Sequence, residues 1–463
     1  MLDRNMQSTP LQIVNPVLEK ASRAELLALQ ERRLIAQIRR VYERVPFYRR
    51  RLPAAAANLS SLQEFQDVIP FLTKSDLIDP DDSFMQDRVA SPGSPVYALH
   101  MTSGTTGLGQ EVHPLTRLDV EAMGSSWVYQ ASWAGLKLGD PIFFTFPVGM
   151  QTGGLSSFML TERMASLAFQ MGPYATEKKI DYLLRFKPAG LVISPAFLTR
   201  FQALLEQRGI DPRRDLPGLK AIFIAGESYT VDWAVRAEEF WGAKISEWYG
   251  CMQGGLNLCF SCEQGVLRNG GRGLLHTMEH RVLCEILHPD TNEPVEPGEE
   301  GEMVITPLFR EAFPVVRFRT GDRVRLSADP CTCGRPFVCI EAGTVARFDD
   351  MMKVRGQNLW PDAVDRLVFS MDEIEEYAGT VYLDDGGREI VEIGIEFKPN
   401  ADLSAEARRS KVDELTRQIQ HKLNVRMDIH EAEYMSLPRY EFKVRRWTDQ
   451  RREGRNVVRY TRN

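Results

Sequence analysis

The sequence predicts an α/β protein: a large, multi-layered N-terminal domain with parallel sheets and a β-rich subdomain, followed by a small α+β domain. Three observations carry that prediction. The apolar runs "PIFFTF" at 141, "GLVISP" at 190 and "LKAIFIAGE" at 219 are continuous rather than alternating, as in strands buried on both faces, and helix-like stretches separate them. From about residue 265 the texture turns to β-rich segments broken by Pro and Gly, and from Asp350 a β-β-α-β succession begins.

In chain order, "RAELLALQERRLIAQIRRVYERVPFYRRRL" carries Leu and Ile at helical spacing with Pro46 interrupting the run, which predicts amphipathic helices forming an N-terminal cap. The buried strands named above follow. "HRVLCEILHP", "GEMVITPL" and "PVVRFRTGDRVRL" then predict a distorted barrel or small sheet over about 265–345. The last unit takes a hairpin, "TVYLDDGGREIVEIGIEF", turned at Asp-Gly-Gly, a polar helix, "SAEARRSKVDELTRQIQHKLN", and the strand "RMDIHEAEYM". The expected domains are residues 1–349 and 350–463.

A chain of 463 residues, 43% hydrophobic and 26% charged, can bury a substantial core. Its net charge of -6 gives no electrostatic reason to expect nucleic acid or a membrane surface as partner, and the pairs Arg445-Arg446 and Arg451-Arg452 read as solvated faces or anion contacts. The start, "MLDRNMQSTPLQIVNPVLEK", lacks the basic and apolar runs of a signal peptide, and no later stretch is apolar enough to span a bilayer, so a cytoplasmic protein is expected. Seven cysteines, an odd and sparse set, argue against a disulfide framework.

The chemistry starts in "TSGTTGLGQ". Gly104, Gly107 and Gly109 permit close backbone approach, and Thr102, Ser103, Thr105 and Thr106 add hydroxyls, so the loop can wrap phosphates. It lacks the Gly-Lys-Ser/Thr ending of a Walker A loop, and alone such a cluster is more often a plain turn. Four later stretches change that. "IAGES" puts Gly226 and Glu227 at a strand end; "EWYGCMQGG" brings Tyr249 and Gln253; "VVRFRTGDRV" brings Asp322; "RYEFKVRR" places Lys443 in the small domain.

In that order, and with "ARFDDMMKVRGQNLWP", these motifs resemble the adenylate-forming superfamily of acyl-CoA synthetases. "YERVPFYRRRL", "DPCTCGR" and "DDMMKVRGQNLWP" resemble its phenylacetate-CoA ligase type, and the likeness runs from about residue 25 to 450. The resemblance implies that Thr102, Ser103, Gly104, Thr105, Thr106 and Gly107 hold the β- and γ-phosphates of ATP. By the same token Gly226, Glu227, Tyr249 and Gly250 flank the adenine, Asp322 binds the ribose, and Arg347 contacts ribose or phosphate. Asp349 is the implied hinge of a mobile small domain, and Lys443 is implied between the acyl carboxylate and the α-phosphate. Phe146, Met150, Gly153, Gly154 and Leu155 are the implied acyl-pocket walls.

Three departures stand out. Gln253 occupies the position of a magnesium-binding glutamate in many members, Gly109 and Gln110 replace a proline and a lysine or threonine, and Phe442 replaces the glycine before the lysine. The implied reaction joins a carboxylic acid, aromatic by subfamily, to coenzyme A or a carrier-protein thiol, using ATP and Mg²⁺ and releasing AMP and pyrophosphate. Transfer to a carrier protein or an amine is a second reading. A weakly catalytic adenylate-binding regulator, motivated by Gln110, Gln253 and Phe442, is a third, and a homodimer stays open.

The cysteines form another constellation. Cys259 and Cys262 have Cys-x-x-Cys spacing, Cys331 and Cys333 have Cys-x-Cys spacing, and His276 lies between the pairs, a soft donor set suited to a closed tetrahedral zinc site. The phenylacetate-CoA ligase resemblance implies zinc on Cys262, His276, Cys331 and Cys333, with Cys259 the substitute if His276 points elsewhere. Cys251, Cys284 and Cys339 sit in apolar contexts and read as core.

Overall fold

The computed structural model describes residues 13–78, 95–102, 111–149, 152–255, 257–355, 357–384, 387–439 and 445–451. The chain divides into two units, the first running to Gly226 and resuming over Ala234–Val345, the second holding Glu227–Trp233 and the chain from Ala346 onward. The sequence reading sets the change at Asp350.

The first unit opens with the helix Arg23–Arg44. Its Ser22 cap accepts from the Glu25 N–H while the Glu25 carboxylate returns to the Ser22 backbone at 2.8 Å. Leu26, Leu34, Ile38 and Val41 form its buried stripe. Pro46 then begins the helix Pro46–Arg51, a position where its missing N–H costs nothing.

An eight-stranded sheet follows, in the spatial order Cys339–Glu341, Leu274–Thr277, Cys259–Ser261, Lys244–Tyr249, Ala221–Ile224, Gly190–Val192, Ile142–Phe144, Ala168–Gln170. The last five strands are mutually parallel. Every residue of Ile142–Phe144, Gly190–Val192 and Ala221–Ile224 is buried, which explains why their sequences do not alternate. The other three strands join antiparallel. Because the central strands run the same way, the residues leaving their C-terminal ends, Phe146, Gly226 and Gly250 among them, emerge along one edge, where ligands of open α/β sheets bind.

The β-rich segments form an antiparallel sheet of Val282–Leu287, Glu300–Pro307 and Phe318–Arg325. Here the burial does alternate, residue by residue along Phe318–Arg325, as in a sheet wet on one face.

The second unit is a four-stranded sheet in the order Asp428–Glu431, Glu389–Phe397, Ile374–Leu383, Trp447–Asp449, with Ile374–Leu383 and Glu389–Phe397 making the expected hairpin. The helices Pro361–Val368 and Ala405–Leu423 share its core through Val364, Leu367, Leu415 and Ile419. Gly379 is required by packing: a Cβ there would meet the Trp447 ring at 2.7 Å. One expectation is overturned. Arg446 is not a solvated charge but only 13% exposed, its guanidinium 2.5 Å from Glu376 and 3.5 Å from Asp365, while Arg451 bonds Asp449 and Glu389. Among the described residues no helix is long and apolar enough to cross a membrane.

Candidate active site and metal centre

The glycine-rich loop springs from the hairpin of Ala98–Met101 with Val112–Leu115. Its base is closed by two bonds: the Thr102 N–H donates to the Glu111 carbonyl at 3.0 Å, and the Glu111 N–H donates to the Thr102 hydroxyl at 2.9 Å. Ser103, Gly104, Thr105, Thr106, Gly107, Gly109 and Gln110 lie outside the described residues, as do Met150, Phe442 and Lys443. Across from this base, the Gln253 amide donates to the Glu111 carboxylate at 2.6 Å. Glu111 is 1% exposed, also meets His113 Nε2 at 3.0 Å, and lies 3.8 Å from the Lys74 ammonium. Glu111 was missed by the sequence reading; its only signal was an acid closing a glycine-rich turn.

His100, paired with His113 across the hairpin, is pushed down to about 4 by burial and by the charges of Arg310 and His113. It is therefore neutral near pH 7 and packs as a structural residue.

Two of the expected nucleotide residues meet directly. Tyr249, at the end of Lys244–Tyr249, donates its hydroxyl to the Asp322 carboxylate at 2.8 Å, and the Thr320 hydroxyl accepts the Asp322 N–H at 3.0 Å. Burial, and then the Asp322 charge, push the Tyr249 phenol well above its ordinary value, so it remains a donor. The ring is thus held by its hydroxyl and buried. Gly226 takes the turn after its strand at φ +87°, a conformation open to glycine. Glu227 and Arg347 belong to the second unit, as does Asp349, which falls in the 3-10 turn Phe348–Asp350.

At the expected acyl pocket, Phe146 packs edge-on against Trp248, ring centres 6.4 Å apart, and Trp248 against Trp127 at 4.9 Å. Gly154 lets the helix Thr152–Arg163 press onto the preceding loop: a Cβ would stand 2.5 Å from Val148 Cα and 2.6 Å from the Pro147 carbonyl oxygen.

The second constellation closes. The ligand atoms of Cys262, His276, Cys331 and Cys333 all lie within 4.8 Å of one another. Cys262 Sγ is 3.8 Å from Cys331 Sγ, and Cys333 Sγ is 3.6 Å from His276 Nε2. A tetrahedron with zinc–sulfur and zinc–nitrogen bonds of about 2.3 and 2.05 Å has edges of about 3.8 and 3.6 Å. Mutual hydrogen bonds within the cluster push the Cys262 thiol up and the Cys333 thiol down. Cys259, the substitute ligand, is fully buried in its strand and outside this cluster. Cys339 is more than core filling, because its Sγ lies 3.3 Å from His276 Nδ1 and fixes the ring that turns Nε2 to the cluster. The two cysteine turns are braced by Arg335, which bonds Glu19 and Glu263 at 2.8 Å each and lies over Trp133.

Residues 14–307 match the family model described as AMP-binding enzyme, and residues 356–451 match that of the AMP-binding enzyme C-terminal domain. The chain is 30% identical to a phenylacetate-coenzyme A ligase of Thermus thermophilus over 82% of its length and 83% of that protein. It is 29% identical to a phenylacetate-coenzyme A ligase of Aromatoleum evansii over 94% and 96%. Among solved structures, its fold is similar to a 2-hydroxyisobutyryl-CoA ligase in the postadenylation state in complex with 2-HIB-AMP. The TM-score is 0.83, with 24% identity over 94% of this chain and 92% of that one.

Proposed function

The chain belongs to the AMP-binding enzymes, of the phenylacetate-coenzyme A ligase type, and on that premise we propose that it activates an aromatic carboxylic acid with ATP and passes the acyl group to coenzyme A. It is an AMP-forming acyl-CoA ligase. The observation that carries the reading is the convergence in the first unit of three sequence-distant motifs. The base of the glycine-rich loop is bonded to Gln253, in the turn that follows the strand ending at Tyr249, and Tyr249 is bonded to Asp322.

The chemistry explains the residue types. A carboxylate oxygen attacks the α-phosphorus and pyrophosphate leaves; the thiol sulfur of coenzyme A then attacks the acyl carbon and AMP leaves. Negative charge gathers on the phosphoryl oxygens in the first step, so donors and cations must be fixed around it. Loop amides and hydroxyls, with Lys443 from the small domain, fill that role in our reading. Mg²⁺ would neutralise the departing phosphates when bound, and an oxygen donor such as the Gln253 carbonyl suits a hard cation. The Phe146, Trp248 and Trp127 cluster supports an aryl acid through edge-to-face packing. The cluster of Cys262, His276, Cys331 and Cys333 is our candidate for a structural zinc.

Acid-dependent exchange of labelled pyrophosphate into ATP, run with aryl and short aliphatic acids and no thiol, tests the first half-reaction. Exchange with aryl acids is expected; exchange with aliphatic acids alone would overturn the aromatic assignment. Coenzyme A is then expected to accelerate AMP release, and release that responds only to an amine or a carrier protein would favour the second acceptor class.

Asp322 as the ribose acceptor carries its own expectation. Tyr249→Phe deletes the hydroxyl that orients its carboxylate, a hydrogen bond to a charged group worth roughly 1.5–3 kcal/mol. Nucleotide affinity measured by calorimetry should fall about tenfold or more, and unchanged affinity would remove Asp322 from the ribose site.

A further inference from the structure

The carboxylate at 111 is placed oddly for a purely structural group. It is buried, it sits at the root of the glycine-rich loop, and one of its oxygens, Oε2, takes both the Gln253 amide and His113 Nε2. Its other oxygen, Oε1, is equally buried and has no hydrogen-bond partner among the described residues, with the Lys74 ammonium at 3.8 Å. A carboxylate only accepts, so the Gln253 NH₂ must face it and the Gln253 carbonyl oxygen must take the other branch of the amide. The side chain at 253 is thereby turned into a neutral oxygen ligand with a full negative charge directly behind it.

We propose that Glu111 is a positioning residue for the divalent cation of the nucleotide, acting through Gln253. The pair divides between two side chains what one glutamate would do alone: Gln253 supplies the oxygen, and Glu111 supplies the charge and fixes the orientation. This rests on the adenylation reading, and it deepens that reading by naming how this chain holds the cation. Outer partners of this kind raise the ligand's basicity and fix its angle, and their loss weakens metal binding on the order of 10–100-fold.

The test uses the full chain saturated with α,β-methylene-ATP, with Mn²⁺ as probe and its free concentration read by electron paramagnetic resonance. Glu111→Gln should weaken Mn²⁺ by on the order of tenfold or more and raise the KM for Mg·ATP more than it lowers kcat. The swap E111Q/Q253E, which restores one carboxylate against one carboxamide in the opposite order, should recover most of that affinity. Melting temperatures keep the outcomes apart: a purely structural clamp would lower the melting point of E111Q while leaving Mn²⁺ affinity of the folded protein unchanged. That result overturns the proposal. So does a swap variant no better than the single one, since Glu111 would then not act through residue 253. If the wild type exchanges no pyrophosphate with any acid, the adenylation reading fails, whereas Mn²⁺ binding in the nucleotide complex still reports on Glu111.

Discussion

Lys443→Ala is expected to lower acid-dependent pyrophosphate exchange by about a hundredfold or more, roughly 3–4 kcal/mol of barrier, while transfer from a supplied acyl adenylate to coenzyme A continues near the wild-type rate. The split follows from where charge appears. In adenylation two anions, the acid and the α-phosphate, are driven together, and a cation fixed between them is worth most at that moment. In thiolysis the acyl carbon is attacked by sulfur and AMP departs, and a lysine poised for the first step has no developing phosphoryl charge to meet. Single-turnover measurements with purified acyl adenylate separate the two. Equal losses in both half-reactions would sink the assignment of Lys443. Loss of neither would show that Lys443 takes no part in the chemistry, whereas a wild type that binds ATP but exchanges no pyrophosphate would move the weight to the regulatory reading, in which Gln110, Gln253 and Phe442 mark a site that binds nucleotide without turning it over.

The parallel sheet was legible because burial on both faces leaves no room for polar alternation, so "PIFFTF" and "LKAIFIAGE" could hardly be anything else. The hairpin Ile374–Leu383 with Glu389–Phe397 was legible from its turn chemistry. What escaped were facts of side-chain partnership. Nothing local distinguishes the ion-paired, largely covered Arg446 from a solvated arginine, because its partners Glu376 and Asp365 come from a strand and a helix far back in the chain. Cys339 looked like core for the same reason; only the pairing of Cys339 with His276 across adjacent strands brings its sulfur to the imidazole. Glu111 escaped because its meaning depends on Gln253, and the two are 142 residues apart. Where an element holds its own signal, as in the hairpin and its Asp-Gly-Gly turn, the local sequence is enough. Where the chemistry is split between motifs, the fold is needed to assemble it.

The metal centre gives the other large expected effect. Wild-type protein dialysed against metal-free buffer should retain about one zinc per chain, and Cys331→Ser should lose it and melt on the order of 10 °C lower. The size follows from what the ion holds together. Cys262 comes from the turn after Cys259–Ser261, His276 from the neighbouring strand, and Cys331 and Cys333 from the loop before Cys339–Glu341. The four ligand atoms lie within 4.8 Å of one another, close enough for one cation to be bound by all of them. With a cation, three short segments become one cross-link beneath the antiparallel end of the central sheet. Cys259→Ala serves as the comparison: it removes a buried sulfur from the same strand, leaves the four ligand atoms untouched, and should keep its zinc with only a modest fall in melting temperature. If dialysed protein carries no zinc and Cys331→Ser melts with the wild type, the four side chains are packing partners and nothing more. If Cys259→Ala loses the metal as well, the ligand set is wrong and Cys259 takes the place of His276 as the fourth ligand.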